Sequence, residues 1–135
     1  MKPLTLLFFG ILLFPQSSTL ESKLESMIWK NRVLVVFSPS PNDPQYIQQK
    51  KWLGEVGKDL LERDMKVLEC VGKDITAEDE KYLKSRFKYS PNEFCAWLIG
   101  KDGGVKLLKN KAIHPQELFG LIDSMPMRRQ EMKKG

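Results

Sequence analysis

Histidine occurs once in this chain of 135 residues and cysteine twice, and the two cysteines, Cys70 and Cys95, form no Cys-x-x-Cys pair. One histidine cannot make a histidine-rich metal site, and no cluster of cysteines and carboxylates at ligand spacing supports a mixed one. A long hydrophobic run is also missing: the apolar block "LTLLFFGILLF", Leu4 to Phe14, is too short for a bilayer, which takes about 20 residues. Basic residues are not interleaved with aromatics and no nucleic-acid motif is present, so nucleic acid is not an expected partner. There is no internal repeat and no low-complexity segment.

What is present begins with Met1-Lys2 before the apolar block and the polar stretch "PQSSTLES" after it, the n-region, h-region and cleavage-zone pattern of a secretory signal. Residues 1–18 are therefore expected to be a signal peptide and the protein to be secreted or periplasmic, with a buried N-terminal helix as the alternative. No cysteine follows the block, which argues against a lipid anchor, and no membrane span remains once the signal is removed. The rest suits one domain with a single core. The formal net charge is +5, and the surplus gathers at the end, where "MRRQEMKKG" sets Arg128, Arg129, Lys133 and Lys134 against Glu131. Residues 126–135 read as a basic tail, either solvated or an electrostatic handle for an acidic surface.

Between these ends the pattern alternates. "TLESKLESMIWKN" places Leu20, Leu24, Met27 and Ile28 at helical spacing, predicting a short helix over 19–29. "RVLVVF" is a continuous β-branched and aromatic run, a buried strand. From Asp43 to near Asp64, Tyr46, Leu53, Val56 and Leu60 mark one helical face, with Asn42 or Asp43 to cap it and Pro44 at its first position. Gly54 and Gly57 weaken that helix and suggest close packing against a sheet. "MKVLECVG" is a second strand, and "TAEDEKYLKSRF" a helix in which Thr76 and Asp79 have capping-box spacing. "EFCAWLIG" and "VKLLK" are strands joined at Asp102-Gly103, a tight-hairpin signal. "HPQELFGLIDSM" closes the domain as a helix, with Leu118, Leu121, Ile122 and Met125 on one face. The order β-α-β-α-β-β-α, with right-handed crossovers, puts the first strand inside a four-stranded mixed sheet, beside the second and third, and the fourth at the far edge. This is the α/β topology of a minimal thioredoxin-like domain, over residues 30–125.

In thioredoxin-like oxidoreductases the first strand runs into a helix whose start carries Cys-x-x-Cys, where the helix N-terminus lowers the thiol pKa. Here that place is filled by Asn42-Asp43-Pro44-Gln45, whose side chains cannot exchange disulfides. Asn42 and Asp43 read as caps, and Asp43 would occupy or repel an anion site; a small-anion or metabolite-binding domain at the helix start near Asn42 is one alternative function. Pro39, Pro41 and Pro44 stiffen the loop, which suits a preformed protein-binding surface. Cys70 and Cys95 fall in the second and third strands with the first between them. Two interstrand steps are roughly 9.6 Å, beyond the roughly 4.4 to 6.8 Å between Cα atoms that a disulfide allows. They read as buried, inert thiols; an atypical thiol redox enzyme using Cys70 or Cys95 is the other alternative. His114 reads as a cap, Glu78, Asp79 and Glu80 as favourable charge in a helix first turn, and Trp52 and Trp97 as core.

The segments "WKNRVLVVFSPSPNDPQYIQQ", "LIGKDGGVKL" and "IDSMPMRRQEM" together resemble a domain-of-unknown-function family. It is found as short exported bacterial proteins and as modules of vertebrate extracellular sushi-repeat-containing and coiled-coil-domain matrix proteins. The resemblance runs over roughly residues 24 to 132. It implies a thioredoxin relative without the Cys-x-x-Cys pair, located outside the cytoplasm, with matrix or cell-surface association in the animal members. It brings no catalytic residue and no cofactor. The expected function is that of a non-catalytic protein-binding or structural module, meeting a protein or acidic surface through Pro41, Asn42, Asp43, Pro44, Gln45, Arg128 and Arg129. The last two are also expected to dock on the domain or on a partner.

Overall fold

The run Arg32–Ser38 is buried at every position, as a strand covered on both faces must be. In the computed structural model, which describes residues 18–134, it is strand β1. It pairs in parallel with β2 (Met65–Val71) on one side and antiparallel with β3 (Cys95–Ile99) on the other, and β3 pairs antiparallel with β4 (Val105–Lys109). The order β2-β1-β3-β4 is the one that the element sequence and crossover handedness predict. Among the described residues six α-helices surround the sheet: α1 (Leu20–Met27), α2 (Pro44–Gly54), α3 (Gly57–Glu62), α4 (Ala77–Arg86), α5 (Pro115–Asp123) and α6 (Pro126–Lys134). The signal-peptide expectation for residues 1–18 falls almost wholly outside the described residues. Among the described residues, no helix is long and apolar enough to cross a membrane.

Strand alternation divides the core into two layers. Leu34, Val36, Ala96 and Leu98 face Tyr46 and Leu53 of α2 and Leu118 and Ile122 of α5. Val33, Val35, Phe37 and Trp97 face Leu20 and Leu24 of α1 and Leu83 of α4. The caps hold these helices where the sequence places them: Thr19, Asp43, Thr76 and His114 each accept a hydrogen bond from a backbone N–H in the first turn.

Three expectations are corrected. The helix from Asp43 toward Asp64 is two helices, α2 and α3, broken at Glu55 and Val56. A Cβ on Gly54 or Gly57 would meet nothing within 4 Å, so neither glycine makes the expected close approach to the sheet. The tight hairpin expected at Asp102-Gly103 is present, with β3 and β4 antiparallel. The link runs from 100 to 104, closed by Gly100 N–H to Gly104 O at 2.8 Å and Gly103 N–H to Gly100 O at 2.9 Å, with Gly103 at φ +87. Residues 126–135 are not a solvated tail: through Lys134 they form α6, which packs on the domain through the buried Arg128.

Candidate functional site

The strand-to-helix junction is built by its own polar groups. Ser38 Oγ donates to Ser40 O at 2.6 Å, and the Asn42 amide donates to Ser40 Oγ at 3.1 Å, tightening the loop after β1. Asp43 is the N-cap of α2, its Oδ1 accepting from Gln45 N–H at 2.8 Å, and Pro44 follows at the first position. Gln45 turns across to the chain before α5, where its Oε1 accepts from Ala112 N–H at 2.8 Å. One turn on, Gln49 is fully buried and clamps a single residue: its Nε2 donates to Ile113 O at 3.0 Å and its Oε1 accepts from Ile113 N–H at 2.8 Å. The sequence reading missed Gln49, although its spacing from Tyr46 and Leu53 puts it on their face. Pro41, Asn42, Pro44 and Gln45 are exposed and Asp43 is half-buried, so the junction is a presented surface. The Asp43 carboxylate occupies the helix start, where an anion would otherwise be held.

The thiols lie beneath this junction. Phe37 is in register with Cys70 of β2 on one side and Cys95 of β3 on the other. Both cysteines are free and buried, with β1 between them. Burial pushes the Cys70 thiol from 9.0 up to about 11, and the Asp79 carboxylate adds to the rise. Burial likewise takes Cys95 up to about 12, against a lowering hydrogen bond from the backbone of Ala96. Tyr89 covers Phe37 edge-on at 4.7 Å and donates its hydroxyl to Glu80 at 3.2 Å. A nucleophilic thiol needs the opposite setting, electropositive and partly open.

The other end of the sheet carries a charge network that joins distant parts of the chain. Arg32, 1% exposed, holds both carboxylate oxygens of Glu131 at 3.1 and 3.2 Å and also donates to Arg63 O at 3.0 Å. Lys101 Nζ reaches Glu131 at 2.6 Å and Asp64 at 2.8 Å. Arg63 grips Asp123 with two hydrogen bonds of 3.0 and 2.9 Å, and Arg128 adds a third at 3.1 Å while donating to Glu62 O. Burial alone would raise the Glu131 pKa, but the hydrogen bonds from Arg32 and Lys101 outweigh it and hold it below the usual 4.5. The Arg63 hydrogen bond lowers Asp123 in the same way. Arg128 is thus spent inside the domain and cannot belong to an interaction surface, whereas Arg129 is exposed. Arg32, Arg63 and Lys101 escaped the sequence reading because a charged residue at a strand end gives no local sign of burial. Among the described residues, no three histidines, cysteines or carboxylates are grouped to hold a metal.

The model of a family described as "Domain of unknown function (DUF4174)" matches residues 23–131. The coiled-coil domain-containing protein 80 of Danio rerio is 30% identical over 84% of this chain, which spans only 16% of that protein. Among solved structures, the reduced 2-Cys peroxiredoxin of Plasmodium vivax is similar with a TM-score of 0.58 at 22% identity, over 83% of this chain and 85% of that one. A putative thioredoxin from Neisseria meningitidis gives 0.56 at 16% identity, over 73% and 77%. These likenesses make the fold thioredoxin-like. The family match begins within α1 and stops at Glu131, the carboxylate that ties α6 to β1, so that the matched unit and the folded unit coincide: the chain belongs to the DUF4174 family.

Proposed function

We propose that this chain is a non-catalytic thioredoxin-like module that acts outside the cytoplasm and binds another protein through the junction from Pro41 to Gln45. The observation that carries this reading is the fate of the redox position. Asn42-Asp43-Pro44-Gln45 stands where a thiol pair would, with Asp43 committed to its helix and Gln45 to Ala112. The two thiols that exist are buried on either side of Phe37, with pKa values of about 11 and about 12. At neutral pH fewer than about one such thiol in a thousand is ionised, too few for a fast nucleophile. Export is supported by the lysine, the apolar block and the polar stretch that open the sequence. Protein binding is supported by the exposure of Pro41, Asn42, Pro44 and Gln45 on a loop held rigid by prolines and hydrogen bonds. Arg129 and the outer lysines of α6 offer a second, weaker contact for an acidic surface, with Arg128 withdrawn from it.

Intact-mass analysis of the exported protein tests the proposal, with alkylation of the native chain followed by denaturation and a heavier label. The expected result is a shortened N-terminus and two cysteines labelled only after denaturation. A cysteine labelled at once in the native state would instead make thiol redox chemistry the leading reading.

A further inference from the structure

A half-open cavity of about 520 Å³ lies between the β3–β4 link, the end of α5 and the start of α6, at the network end of the sheet and away from the Pro41–Gln45 junction. Its apolar wall is Leu121, Met125, Pro126 and Met127, and methionines at such a wall adapt to the shape of what enters. Four charged residues line it, Arg32, Lys101, Lys106 and Asp102; Arg32 and Lys101 are already paired with Glu131 and Asp64, which leaves Lys106 as the cation held only by the exposed Asp102. Two of the cations are not in equal positions. Arg32 is 1% exposed, and although its terminal nitrogens are paired, its Nε is buried without any hydrogen-bond partner. A buried donor of this kind is unfavourable until an acceptor reaches it. Lys106 lies over Gly100, where a Cβ would meet its Cε at 2.5 Å, and its ammonium holds Asp102 at 2.9 Å in a pair about a third to a half exposed. A pair so exposed is weak and can be exchanged for another carboxylate.

From this arrangement we propose that the cavity binds a small apolar carboxylic acid. The hydrocarbon body rests on Leu121, Met125, Pro126 and Met127. The carboxylate takes Lys106 from Asp102 and, with a small shift of the guanidinium, supplies the acceptor that Arg32 Nε lacks. A volume of this size accommodates one compact molecule, within the roughly 300–1,000 Å³ of ordinary ligand sites, and the unpaired Arg32 Nε–H and the exchangeable Lys106 ammonium both call for an acceptor, which an acid supplies and an ammonium cannot.

Calorimetric titration of the full chain with octanoate, beside octanamide as the uncharged match, tests this. Octanoate is expected to bind, raise the melting temperature and shift the amide resonances of Gly100 and Met127, with octanamide at least about tenfold weaker, the worth of a charge-assisted hydrogen bond. Met127→Asp, at a position 40% exposed, is expected to abolish octanoate binding at an unchanged melting temperature, and Lys106→Gln to weaken it several-fold. Equal binding of acid and amide, no binding of octanoate at millimolar concentration, or binding that survives Met127→Asp would each overturn the proposal. So would binding of a tripeptide ending in free leucine without binding of octanoate, since the occupant would then be a polypeptide C-terminus.

Discussion

Cys70 and Cys95 illustrate how far a single residue's chemistry depends on what lies beside it. Each is one strand from Phe37 and closed off by apolar side chains, and each thiol holds its proton to about 11 or about 12 instead of 9.0. A thiol whose pKa rises on folding favours the folded state below its unfolded value, and that contribution is lost as pH rises through the folded value. The melting temperature is therefore expected to fall between about pH 9 and 11, and to fall less in Cys70→Ala/Cys95→Ala, compared by calorimetry over that range. Gln49 carries a different residue-scale burden. Replacing it by leucine keeps the volume but leaves the N–H and C=O of Ile113 buried and unpaired. A loss of about 2–4 kcal/mol in urea unfolding is expected, the cost of two orphaned groups; a loss below 1 kcal/mol would mean that water replaces the amide.

Among the elements, α6 shows most clearly that a segment's composition does not decide its role. Its basic residues suggest a free tail, yet Arg128 is buried and Glu131 meets Arg32 and Lys101. Truncation after Met125 is expected to cost up to about 3–5 kcal/mol in chemical unfolding, because Arg32 and Lys101 lose the Glu131 carboxylate and the domain loses the buried Arg128 with its bonds to Asp123 and Glu62. No loss would show that α6 is a passive appendage. Because Glu131 and Asp123 are held below their usual pKa values, their contribution is present above the unfolded carboxylate range and disappears as pH falls through the lowered values. Acid unfolding of Glu131→Gln is expected to show a flatter dependence below pH 4.5 than the parent chain. The α2–α3 break makes the converse point. Since no atom would crowd a Cβ at Gly54 or Gly57, Gly54→Ala is expected to stabilise by about 0.5–1 kcal/mol through lower chain entropy and better helix propensity, measured by thermal melting.

For the whole molecule, the two ends of the sheet divide the work. One end presents the Pro41–Gln45 junction, and the other is closed by α6 and the ion network, with the cavity between them and the β3–β4 link. Both helical layers share β1, so unfolding is expected to be one transition, with the near-ultraviolet signal of the buried Trp97 coinciding with the backbone signal. Much of this architecture is legible in the sequence. The run from Arg32 to Ser38, the caps at Thr76 and His114, and the replacement of a thiol pair by Asn42-Asp43-Pro44-Gln45 are local facts, written within a few neighbouring residues. Element order together with crossover handedness then leaves β1 inside the sheet. Only the tertiary structure could decide that Arg32 pairs with Glu131 across 99 positions, that Arg128 is buried while Arg129 is not, and that Gln49 clamps Ile113. Periodicity and capping are settled by neighbours along the chain. A buried charge or amide takes its partner from whichever distant segment the strand order brings alongside, and that choice leaves no mark on the sequence around either residue.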